Sequence, residues 1–89
     1  MRRFEVVIVN RLGLHARAAA RWVHATQGFA SRIRVGRRTA DVDGKSILGL
    51  LTLAAAKGTR LRVSVEGTDE AAAAETIAGL VRSGFGEDE

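Results

Sequence analysis

Two residues that could do chemistry together, His15 and Arg17, stand where the sequence changes period. Asn10-Arg11-Leu12-Gly13 reads as a strand ending in a turn, and Ala16 onward is a run of good helix formers. His15 therefore falls near the N-cap of a helix, where the first main-chain N–H groups lack intrahelical partners. Those groups and the helix dipole favour an anion. An imidazole is a competent nucleophile near neutral pH, and a guanidinium can give a phosphoryl group two parallel hydrogen bonds. The chemistry this pairing suits is a phosphohistidine whose adduct is held as it forms.

Each of these residues has a plainer reading. Arg17 could be one more charge on a basic face; two positions from His15, it reaches the same point only if the helix is just starting, and the pattern meets that condition. His24 lies nine positions beyond His15, so at ~100° per residue it faces the opposite side of the helix. The two histidines cannot share a metal ion, and His24 is read as a surface or partner-facing residue. Ser46 precedes a short apolar run and is a good helix cap whatever else it does.

The elements that position these residues follow from periodicity. Phe4 to Val9 has few polar residues, as expected of a strand largely covered by its neighbours. A helix over Ala16 to Gln27 buries Ala19, Trp22, Val23 and Thr26 and stops at Gly28. Arg17, Ala20, Arg21 and His24 repeat the same spacing on a second face, open to a partner. Ala30 to Val35 alternates as a half-exposed strand; Gly36-Arg37-Arg38 reads as a hairpin connection into a strand over Thr39 to Val42. Ser46 starts a short helix with Ile47, Leu50, Leu51 and Ala54 inward, ended by Lys57-Gly58. Arg60 to Glu66 alternates with Leu61, Val63 and Val65 inward. Thr68 or Asp69 caps a last helix facing Ala73, Thr76, Ile77, Leu80 and Val81 inward, Gly84 closes it, and the acidic tail is expected to be loose. The order βαββαβα, each element apolar on one side, makes a two-layer α+β domain.

Composition narrows the classes. At 89 residues, 46% of them hydrophobic, the chain is expected to form one domain over 1–89 with a single core. It has no proline-rich or serine-rich linker and no apolar run near the ~20 residues of a membrane helix. Its charged start passes straight into a strand pattern, unlike a signal peptide. The chain has no cysteine, which excludes disulfides and thiolate metal sites and fits a cytoplasmic setting. Residues 1–44 carry nine arginines against three acids, net +6, and residues 45–89 five basic against seven acidic residues, net −2. A basic half implies an acidic partner, protein or nucleic acid, although Arg32, Arg34, Arg37 and Arg38 are more simply read as solvating an exposed strand pair. Only four aromatics are present, Phe4, Trp22, Phe29 and Phe85, so an RNA-binding module, the rival from another class, lacks an obvious stacking platform.

Two segments in register resemble one family. Gly13-Leu14-His15-Ala16-Arg17-Ala18-Ala19 resembles the active-site motif of the HPr family of histidine-containing phosphocarriers, usually Gly-Leu-His-Ala-Arg-Pro-Ala, with Ala18 where proline is usual. Gly44-Lys45-Ser46-Ile47-Leu48-Gly49-Leu50-Leu51 resembles the block that holds the family's regulatory serine. The resemblance implies an open-faced β-sandwich, a four-stranded antiparallel sheet with three helices on one face. It implies that the phosphohistidine of Enzyme I donates to Nδ1 of His15, that the N–H groups of Ala16 and Arg17 with the Arg17 side chain hold the phosphoryl group, and that an EIIA-type histidine receives it. It implies no metal or cofactor on this chain. The docking face would join Arg17, Ala20, Arg21 and His24 to Ile47, Leu48 and Leu51, on a monomer that neither enters the membrane nor binds nucleic acid. An HPr kinase/phosphorylase acting on Ser46 is a further candidate partner. The tail Ser83-Gly84-Phe85-Gly86-Glu87-Asp88-Glu89 is similar to that of the nitrogen-branch paralogue, which leaves a regulatory carrier that moves no sugar as the alternative within the class.

Overall fold

Along the strands of this chain alternate side chains turn to one covered face, because helices cover only one face of the sheet they form. A computed structural model describes residues 1–87. The elements are β1 (Arg2–Val7), α1 (Ala16–Thr26), β2 (Arg32–Arg37), β3 (Ala40–Asp43), α2 (Ile47–Thr52), β4 (Arg60–Glu66) and α3 (Glu70–Arg82), in the βαββαβα order, followed by a 3₁₀ turn, Gly84–Gly86. The sheet is antiparallel throughout with strand order β1-β4-β2-β3. Val6, Ile33, Val35, Leu61, Val63 and Val65 point into one core with Trp22, Leu50, Ile77 and Phe85 from the other layer. No helix among the described residues is long and apolar enough to cross a membrane.

Several expectations need correction. β1 is an edge strand covered on one face only, so Val7 and Val9 are exposed despite their apolar character. Its ladder begins at Arg2 rather than Phe4, and Ile8 prolongs the contact by exchanging main-chain bonds with Gly58 and Thr59 (2.7 and 3.0 Å). The hairpin turns at Arg38-Thr39, with Arg38 at φ 57°, and Gly36 lies inside β2. A Cβ on Gly36 would stand 2.7 Å from Nη2 of the Arg62 guanidinium that crosses it, so a side chain there would have to displace that guanidinium. Gly28 does not take the left-handed conformation; α1 ends at Thr26, and the N–H of its C-cap Gln27 donates to the Val23 carbonyl. Ala18 joins the buried stripe of α1, while Val23 is only half-buried.

α2 is shorter than its apolar run suggests. It ends at Thr52; Leu53 and Ala55 are buried, whereas Ile47 and Ala54, expected inward, are exposed. Past Thr52 helical spacing no longer holds, because the chain reverses at Ala54 (φ 50°). The Arg37 guanidinium donates to the Leu53 and Ala54 carbonyls (2.8 and 3.0 Å) and closes that end. Asp69 occupies the N-cap position of α3 without capping it. Its carboxylate accepts instead from the Ser31 hydroxyl and the N–H groups of Ala30 and Ser31, tying α3 to the loop before β2. The Ser31 hydrogen bond, then that of Ala30, holds the Asp69 carboxyl below its usual range.

The tail is not loose where it is described. Gly84, left-handed at φ 65°, ends α3 and sends Phe85 back into the core, 1% exposed, its ring 6.5 Å from that of Trp22. Asp88 and Glu89 lie outside the described residues. Phe85→Ala should lower the unfolding free energy by about 3–5 kcal/mol through lost burial and the cavity left against Trp22. Urea denaturation checks this; a loss below ~1 kcal/mol would mean that the ring is not part of the core.

Candidate functional site

The path from β1 into α1 is built around a glycine. Gly13 is left-handed at φ 70°, and a Cβ on it would stand 2.5 Å from the Ala55 carbonyl oxygen. That close approach lets the Leu14 N–H donate to the same carbonyl at 2.8 Å, with the Leu14 side chain buried. The Asn10 side chain holds the turn from the other side, its Nδ2 donating to the Gly13 carbonyl at 2.7 Å. With both flanks fastened, His15 is set at the N-cap of α1 in extended conformation.

The histidine ring is held at both nitrogens. The Arg17 N–H donates to Nδ1 at 3.2 Å, a ring nitrogen capping the helix in place of the usual hydroxyl or carboxylate. Nε2 meets Oε2 of Glu87, whose Oε1 accepts from Asn10 Nδ2 at 3.0 Å. A donor at Nδ1 and a carboxylate at Nε2 together select the tautomer with the proton on Nε2 and the lone pair on Nδ1. The first main-chain bond within the helix runs from the Ala19 N–H to the His15 carbonyl, so the N–H groups of Ala16, Arg17 and Ala18 have no intrahelical carbonyl. Burial opposes ionisation of Glu87, but the hydrogen bonds from Asn10 and His15 and the charges of His15 and Arg21 outweigh it and hold the carboxyl below its usual range.

An open cavity of ≈ 600 Å³ joins His15, Arg17 and Arg21 to Arg11, Leu12 and Glu87. Of the residues singled out in the sequence, Ala16, Arg17, Ala20, Arg21 and His24 are exposed along α1. Arg21 is partly engaged, donating from Nη1 to the Phe85 carbonyl at 2.5 Å. Ile47 and Leu48 are exposed on the adjacent α2, Leu48 at 75%, with Leu51 half-buried. Ser46 caps α2: its Oγ accepts the Gly49 N–H at 3.0 Å. A larger depression (≈ 790 Å³) lined by Ser31, Arg32, Arg34, Asp43, Lys45 and Glu66 includes neither histidine, and its lysine already donates to the Phe29 carbonyl. The open sheet face carries no aromatic platform: Trp22 and Phe85 are buried, and Phe4 and Phe29 pack against the core.

Three residues at His15 escape a reading by spacing. Arg11 and Leu12 sit in the turn, where no period applies, and Glu87 is 72 positions from its partner. The signal that could have found Glu87 is the alternation Gly84-Phe85-Gly86, an apolar residue between two glycines, which marks a tight reversal back to the core.

Comparison with known proteins agrees with the fold. Residues 2–83 match the family model described as the phosphotransferase-system HPr component phosphorylation site. The chain is 44% identical over 86 residues to the phosphocarrier protein HPr of Pseudomonas aeruginosa, with 96% of each chain covered, and 43% identical over 84 residues to that of Neisseria meningitidis, with 94% of each covered. Among solved structures, an HPr from Thermoanaerobacter tengcongensis superposes with a TM-score of 0.95 at 37% identity over the whole of both chains. The sequence and the fold are thus both similar to those of named phosphocarriers, and the chain belongs to the HPr family of phosphocarrier proteins of the phosphotransferase system.

Proposed function

We propose that His15 accepts a phosphoryl group on Nδ1 from the phosphohistidine of an Enzyme I-type donor and passes it to a histidine of an EIIA-type acceptor. The observation that carries this reading is the contact between Nδ1 and the Arg17 N–H. When the Nδ1 lone pair turns to phosphorus, that N–H loses its acceptor, and an incoming phosphoryl oxygen replaces it. The swap keeps the hydrogen bond count level while adding the helix dipole and the free N–H of Ala16 to the anion. The Arg17 guanidinium, exposed on the same cavity, supplies charge-assisted bonds to the remaining oxygens.

Partners dock across two helices. Arg17, Ala20, Arg21 and His24 present a basic rim to an acidic surface, and exposed Ile47 and Leu48 with half-buried Leu51 present an apolar patch beside it. Such a contact is small and short-lived, as a carrier requires. The chain acts as a single cytoplasmic unit and a monomer, with no metal or cofactor of its own. Ser46, at the edge of the patch, is a phosphorylation site through which charge controls docking: a phosphoserine suits a helix N-terminus but must be desolvated when a partner covers it.

With phosphoenolpyruvate and Enzyme I, the wild type should acquire acid-labile, alkali-stable phosphate, and His15→Ala none while remaining folded. Label on His15→Ala at the wild-type level would sink the nucleophile assignment. Arg17→Ala should slow uptake roughly ten- to hundredfold, the kinetic equivalent of losing a charge-assisted hydrogen bond; equal rates would leave Arg17 a surface charge. Ser46→Asp should keep α2, since aspartate also caps, and raise KM for Enzyme I roughly tenfold, the equivalent of ~1.4 kcal/mol. An unchanged KM would leave Ser46 a helix cap alone.

A further inference from the structure

Glu87 stands apart from the rest of the fold in having its carboxylate brought to the His15 ring rather than to the core or to solvent. Phe85 already secures the tail against Trp22, and the Arg21 guanidinium fastens its carbonyl. Gly86, left-handed at φ 72° with open space where a Cβ would be, then turns the chain so that Glu87 reaches His15 Nε2. Asn10, 1% exposed, sits behind it. Its two N–H groups go to the Gly13 carbonyl and to Glu87, which leaves its own Oδ1 buried without a partner among the described residues. Turning the amide over would set that oxygen against two acceptors, so the orientation is locked and the fold tolerates an unsatisfied oxygen to direct a donor at Glu87.

We infer that Glu87, held by Asn10, is a positioning residue for His15: it keeps Nδ1 free as the nucleophile and retains the Nε2 proton through uptake and release of the phosphoryl group. The inference rests on the reading of His15 as the phosphoryl acceptor. In uptake, the Nδ1 lone pair forms the N–P bond while the donor's P–N bond breaks and its electron pair stays with the donor ring. The His15 ring, still carrying the Nε2 proton, becomes cationic, and Glu87 faces that charge. In release, the N–P electron pair returns to Nδ1 as phosphorus joins the acceptor, and the ring leaves as neutral imidazole rather than as an imidazolate. Among the described residues, the other charged groups on the cavity, Arg11, Arg17 and Arg21, all carry the same sign as a cationic ring, and Glu87 is the group lining it with the opposite sign. Glu87 and the phosphoryl group address opposite nitrogens, which keeps the two anions on opposite sides of the ring.

The test uses Glu87→Gln, which preserves shape and can keep the Asn10 contact, with Glu87→Asp as the variant that keeps the charge. Each chain is phosphorylated by Enzyme I with phosphoenolpyruvate and, separately, by phosphoramidate, a small donor that needs no docking. Glu87→Gln should take up phosphate at least about tenfold more slowly from both donors, with unchanged KM for Enzyme I and the fold intact by circular dichroism. Its phosphohistidine should persist to lower pH than that of the wild type, because without the carboxylate the Nε2 proton of the phosphorylated ring is lost sooner. Glu87→Asp should recover part of the rate and of the pH profile. Wild-type rates and pH profile in Glu87→Gln would overturn the inference while label on His15 left the carrier reading standing. A wild-type chain that takes no label on His15 from either donor would overturn both.

Discussion

The bond from the Leu14 N–H to the Ala55 carbonyl is the fastening on which the site depends. It joins the segment that leaves β1 to the segment that leaves α2, and it forms only because Gly13 has no side chain to hold the two apart. Once it is made, the extended backbone at His15 and the start of α1 at Ala16 follow from short-range geometry. The second segment is itself secured: the Arg37 clasp on Leu53 and Ala54 holds the reversal that aims the Ala55 carbonyl. A guanidinium on the sheet thus helps to place an imidazole that it does not touch.

What could be read in advance, and what could not, divides along physical lines. β4 has the bounds and the inward residues that its alternation implies, because Arg60, Arg62 and Glu66 mark the solvent side unambiguously. β1 misleads, since Val7 and Val9 are apolar but face outward, and hydrophobicity alone does not tell an edge strand from a covered one. The Arg38-Thr39 turn lacks the glycine or asparagine that would mark it, while Gly36 invites a turn that the chain does not make. The start of α1 was legible because capping is local: a ring nitrogen, a run of alanines and a turn glycine are neighbours in sequence. Glu87 was not, because nothing in the spacing of residues 10–17 says that a carboxylate will arrive from the far end of the chain.

Ala18 shows how a departure from a motif can be read physically. Where the family usually has proline, this chain keeps a main-chain N–H in the first turn of α1 and a small buried methyl beneath it. A proline there would stiffen the turn and remove that donor. With alanine, the helix start keeps three N–H groups that have no intrahelical carbonyl, one of them capped by His15 Nδ1, and the Ala18 methyl packs into the core beneath them.

The separation of 72 positions between His15 and Glu87 also sets an order in time. During synthesis the histidine emerges early, within the first strand-to-helix connection, and Glu87 is added only after α3 and the buried Phe85. Contacts of such long range close late, after the shorter loops between them have already formed. A chain still attached to the ribosome can therefore contain the histidine, and even the helix it caps, while the ring is free to rotate and to change tautomer. The carboxylate contact therefore closes on the ring only after all four strands and all three helices have been made.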